Sequence, residues 1–355
     1  MVSLRWPGHR GWIVVGLAVG LAACSGEDSP SGSDEVTGIP LPMTMTSTGP
    51  SEEAGDIEKL DLPDPDGTGL ADDGSEELGC QKVDFVFVID SSGSMQDEQD
   101  NLLASFPGFI AAIENTLELD DFNLMVVDAG QVLAAGCDGT LGAGQVRSST
   151  GQDCMIAGGR RYATSEQADL VGAFTCMGSR GFDGSGDEQT MDSLLAAVGS
   201  LVGPGQCNEG FLRDDAILVV TIITDEEDSP LDTSFNPPLD GSCEPADSDL
   251  NSVGDPASWH ASLVAAKGGD EDAVVVLSLL GDCDIAGSCP GIALANPLDP
   301  TSDVSGAEPA PRLRAFTEMF GFGSVGPVCA DDYAPFFEEA VGMIDSACDD
   351  FEPPA

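Results

Sequence analysis

The sequence predicts an α/β fold: a doubly wound, mainly parallel sheet with helices on both faces and disulfide-bearing insertions. Three observations carry this. Short β-branched and aromatic runs recur along the chain, too continuously apolar to face water on one side, as parallel strands buried on both faces read. Between them, apolar residues return at three- and four-residue steps, the period of one helix face. Cysteines sit in long segments between these elements, as insertions stapled to a core would carry them.

Residues 83–89 form the first buried run, and Leu102, Phe106, Phe109, Ile110, Ile113 and Leu117 then mark a helix face, with Pro107 expected to kink it. Residues 122–127 read as a second strand, and a short third lies near 160–163. Met191, Leu194, Leu195, Val198 and Val202 repeat the helical period. Residues 216–223 read as the central strand and 273–280 as another. Phe336, Phe337, Ala340, Val341 and Ile344 write a closing helix that reaches Cys348. Trp259 is expected to pack a helix and His260 to lie at the surface.

Ahead of this domain, Arg5, His9 and Arg10 precede an apolar run at 11–21, shorter than the ~20 residues that span a bilayer, which reads as an export signal. Leu21-Ala22-Ala23-Cys24 resembles the lipobox of bacterial lipoproteins, which implies lipidation of Cys24; the alternative is a plain signal peptide cut nearby. The expected organisation is a signal at 1–23, a lipidated Cys24 with an acidic disordered tether to 79, a domain at 80–349 and a tail at 350–355. Within the tether, residues 64–72 have a passing likeness to an aspartate-rich calcium loop. They lack its final glutamate and flanking helices, and read as linker.

Lys and Arg number 12 against 63 Asp and Glu, a formal charge of −51 that repels phosphate backbones and anionic headgroups and gathers cations. Nucleic acid is excluded as a partner, and the membrane is reached through the lipid anchor only. Setting Cys24 aside from the 11 cysteines leaves ten, an even number that fits disulfides in an exported chain. Cys283 with Cys289, and Cys137 with Cys154, are spaced as local bridges. His260 is the sole histidine beyond the signal, which leaves little for zinc sites or histidine triads.

Ligands bind outside the carboxyl ends of strands in open α/β sheets. The first strand stops at Asp90-Ser91-Ser92-Gly93-Ser94 and the central strand at Thr224-Asp225-Glu226-Glu227-Asp228, so two strand ends aim hard oxygens at one place. These residues resemble the metal-ion-dependent adhesion site of von Willebrand factor type A (VWA) domains, over roughly residues 83–348. The resemblance implies that Ser92 and Ser94 ligate Mg2+ or Mn2+ directly, with Asp90 and Asp225 acting largely through water. The family's threonine is missing. Glu188, followed by Asp192-Ser193-Leu194, is similar to the integrin β-subunit pattern and takes that place, with Ser185 as the alternate ligand. Asp97 and Glu98 match positions that bind an adjacent Ca2+ in integrin β-subunits, although the ordinary reading of acids in a helix's first turn is that they suit its dipole.

The segments 130–159, 226–255 and 281–311 each follow a strand, and are expected to form a collar at the metal face. The function this implies is a divalent-cation-dependent adhesion or scaffold module, not an enzyme. It would bind a protein ligand presenting an acidic residue, and would be displayed by a lipoprotein in the cell envelope, with the outer membrane or surface favoured. The rivals are a metal-dependent carboxylate hydrolase, disfavoured by Ser92 where a second acid is needed and by the scarcity of lysine, and a passive lipoprotein with a degenerate site.

Overall fold

In the computed structural model the described residues are 82–117, 121–130, 134–181, 184, 188–228, 253–281 and 306–354, with the side chains of Asp97 and residues 114–116 outside that set. Among these residues six strands form one sheet: β1 (Lys82–Ile89), β2 (Asp121–Asp128), β3 (Ala163–Thr164), β4 (Ile217–Ile223), β5 (Val274–Leu280) and β6 (Phe322–Pro327). Their order is β3-β2-β1-β4-β5-β6, and every pairing is parallel except that of the two-residue β3 with β2.

The sheet is buried on both sides because its central strands alternate between two apolar faces. Val83, Phe85, Phe87 and Ile89 of β1 join one core, while Val86 and Val88 join the other. The first core is closed by α1 (Gln96–Thr116), α2 (Leu170–Gly178) and α6 (Ala334–Asp350), through Phe106, Phe109, Phe174, Phe337 and Ile344. The second is closed by α3 (Thr190–Leu195), α4 (Pro256–Ala266) and α5 (Pro311–Thr317), through Met191, Leu194, Trp259, Leu263 and Phe316. Trp259 is buried edge-to-face on Phe316, as expected of a helix-packing residue.

Several expectations need correction. α1 runs as one element through Pro107, which lies on its exposed side. Cys137 pairs with Cys207 and Cys154 with Cys176, so Cys137 and Cys154 are not bonded to each other. Each instead staples its segment to a distant element that folds beside it. Cys329 and Cys348 are disulfide-bonded as well. Only part of the first insertion reaches the carboxyl edge of the sheet: Arg180, which holds Asp128 at the end of β2, also donates to Arg147 O (2.8 Å), and Ser149 N–H donates to Ser179 O (2.9 Å). Another part turns back along β2 beyond the short β3, where Gln145 N–H donates to Val126 O (2.8 Å) and Arg161 Nε to Gly144 O (2.6 Å). That course supplies partners to strand-edge groups that β3 is too short to reach. Residues 229–252 and 282–305 of the other two insertions lie outside the described residues, as do the N-terminal signal, Cys24, the tether and the Cys283–Cys289 spacing.

Candidate metal centre

The register brings the two predicted strand ends together. Ile89 is paired with Asp128 on one side and Ile223 on the other. One residue on, Asp90 N–H donates to Ile223 O (3.0 Å), and Thr224 N–H to Leu279 O (3.2 Å). Asp90 and Asp225 therefore leave adjacent strands at the same edge.

Asp90 is buried and organises the turn after β1: its Oδ1 accepts from Ser92 N–H (2.7 Å) and its Oδ2 from the Thr224 hydroxyl (2.8 Å). The Ser92 and Ser94 hydroxyls stand 3.0 Å apart. Asp225 is fully buried, and among the described residues neither of its carboxyl oxygens has a hydrogen-bond partner. Leaving a carboxylate so placed is costly unless it is protonated or meets a positive charge. Burial, then the charges of Asp90 and Glu226, push its pKa up to about 9, and the nearby Ser94 hydroxyl pulls the other way. Asp90 is pushed up to about 7 by burial and by Glu226, although Ser92 and Thr224 lower it.

Glu188 is buried among the same groups. Burial first, then Asp90 and Glu226, raise its pKa far above the carboxylate range, and the Glu226 carboxyl comes within hydrogen-bonding reach of it. Glu98, buried in the first turn of α1, adds its charge to Asp225. Asp90, Ser92, Ser94, Asp225, Glu188 and Glu98 are thus gathered at one edge, while Ser185 and the Asp97 side chain lie outside the described residues.

Sequence reasoning missed the supports beneath these groups. The Ser91 hydroxyl donates to Asp128 Oδ1 (2.8 Å), and the buried Arg180 holds Asp128 Oδ2 (3.1 Å). Gly184 N–H donates to Ser91 O (2.9 Å), and Gln189 N–H to Ala129 O (2.8 Å), docking the segment that carries Glu188. Gln99 of α1 donates through Nε2 to Asp90 O (3.3 Å) and accepts through Oε1 from Gly181 N–H (3.0 Å). Glu226 was also missed, since in a run of four successive acids residue type alone does not say which of them turns inward. Apart from the Gln99–Asp90 contact, the supports join residues 37 or more apart in the chain and leave no local signal.

The donors are all oxygens, hydroxyl and carboxylate, the chemistry of a hard cation such as Mg2+, Mn2+ or Ca2+. The Asp225 oxygens, which have no hydrogen-bond partner among the described residues, are where such an ion fits best. Among the described residues, no three His, Cys, Asp or Glu side chains already surround one point, and two of the expected ligands here are serines. No protein-family model matches the chain, and no curated protein matches it.

Proposed function

We propose that the chain is a divalent-cation-dependent protein-binding module of the VWA type, carried at the cell envelope by a lipid anchor on Cys24. The observation that carries this reading is Asp225: a fully buried carboxylate with no hydrogen-bond partner among the described residues, beside Asp90, Ser92, Ser94 and Glu188 at the carboxyl edge of a mostly parallel sheet. The strand order and the helices on both faces fit the doubly wound architecture the reading needs.

In this reading Ser92, Ser94, Asp225 and Glu188 hold the ion, with Asp90 fixing the turn through Ser92 N–H and the Thr224 hydroxyl. A bound Mg2+ or Mn2+ supplies a coordination position for a carboxylate of a partner. Gln99 and Gly184 keep the Glu188 segment against that turn. Panning a displayed peptide library against the full chain in Mg2+, with elution by EDTA, tests this. Enriched peptides sharing an Asp or Glu, and none retained by Asp225→Asn, are expected. Retention that is indifferent to EDTA would count against it.

A further inference from the structure

Glu226 follows Asp225 in a run of four acids, and its side chain interacts with Glu188 at the site. The Thr224 hydroxyl that donates to Asp90 Oδ2 (2.8 Å) also accepts from Glu226 N–H (3.1 Å), which folds residue 226 back toward Asp90. Residue 226 is half-buried, and its carboxyl reaches Glu188. Its charge falls on Asp90, Glu188, Asp225 and Glu308 together. Glu227, one residue on, is committed elsewhere: its Oε1 accepts from Asp228 N–H (2.9 Å) and its Oε2 from Arg312 N–H (2.8 Å) at the start of α5. Among the described residues neither carboxyl oxygen of the fully buried Asp225, on which the Glu226 charge acts, has a hydrogen-bond partner, and this independently marks where a cation belongs.

We infer that Glu226 is an internal ligand of the cation held by Ser92, Ser94, Glu188 and Asp225, taking a coordination position that would otherwise go to water or to a partner's acid. This rests on the cation-site reading above and adds two consequences to it. A third carboxylate beside Glu188 and Asp225 outweighs the charge of a divalent ion and favours the larger, more crowded coordination shell of Ca2+ over that of Mg2+. A partner's acid then enters only in exchange for Glu226, so the chain guards its own site.

The test uses the full chain with Glu226→Ala, Glu226→Gln and Asp225→Asn, each checked for folding by circular dichroism. Ca2+ affinity is read by calorimetry. Coordinated waters are counted from Tb3+ luminescence lifetimes in H2O and D2O. Since losing even an outer partner of a ligand costs 10–100-fold in metal affinity, Glu226→Ala is expected to weaken Ca2+ binding by about tenfold or more. It should also admit about one further water to the ion. Glu226→Gln, which keeps an oxygen, should lose affinity without gaining that water. An unchanged water count in Glu226→Ala overturns the inference even if affinity falls, because charge acting through space weakens binding without opening a position. If Asp225→Asn alone abolishes binding, the cation site stands and only Glu226 is reassigned. If the wild type binds neither ion, the site reading falls with it.

Discussion

Asp225 concentrates the physical problem of this fold: a carboxylate fully buried at a strand end and facing other acids. Its folded pKa of about 9 lies above the ordinary 3.8, and Asp90 and Glu308 rise in the same direction, to about 7 and about 8, with burial as the largest cause in each. A raised folded pKa means that the folded state holds more protons than the unfolded one between these values. The stabilising contribution is therefore complete below the unfolded values and is lost as pH rises through 7 to 9. In EDTA, the melting temperature is expected to fall steadily between about pH 5 and pH 9. Saturating Mg2+ or Ca2+ should restore most of the loss at the upper end, where the carboxylates ionise. Asp225→Asn should flatten the EDTA profile and raise stability by more than ~1 kcal/mol near neutral pH, since one pKa unit is worth about that much. A metal-free melting profile that rises with pH would contradict this account of the buried acids.

The elements around these residues act as a frame for two loops. The turn after β1 is held by Ser91 on Asp128, with Arg180 neutralising Asp128 from the far side, and the segment bearing Glu188 is held by Gly184 and Gln99. Gly184 has to be glycine for this approach: a Cβ there would meet Ser91 Oγ at 2.1 Å and Ser91 O at 2.5 Å. Gly184→Ala should therefore push the Glu188 segment off the turn and weaken cation affinity about tenfold or more while leaving far-ultraviolet dichroism unchanged. Equal affinity in the variant would detach that segment from the site.

Legibility in the sequence followed the same division between local pattern and long-range contact. β1, β4 and β5 are plain in the sequence because strands buried on both faces are nearly unbroken apolar runs. β6 carries Gly323, Gly326 and Pro327 at a half-exposed edge, and hides. α4 has a local signal in Asp255-Pro256 and Ser258, a capping box with proline at the helix start. α2 opens with Asp169 capping Gly172 N–H, but Gly172, Thr175 and Cys176 dilute its apolar period. The disulfides could not be read because Cys137 and Cys207, 70 positions apart in the chain, are brought together only by the fold. At the site, Asp90, Ser92, Ser94 and Asp225 were legible from residue type at strand ends; Glu226 was masked by the acids that follow it.

On the scale of the whole molecule, a formal charge of −51 sets a field that draws cations toward every acidic surface. That field is screened by salt, whereas an ion held by buried Asp225 is screened much less. General attraction and a specific site therefore separate on raising ionic strength: diffuse binding fades while saturable binding persists. The reading of the chain as an envelope-anchored binding module depends on the second kind. The most direct test is calorimetric titration of the full chain with Mg2+ and Ca2+ at physiological salt, beside Asp90→Ala and Ser92→Ala. Saturable binding at one or two sites in the wild type, lost in both variants, is the expected result; a folded wild type that binds neither ion, or variants that bind as the wild type does, would contradict a cation site at the end of β1.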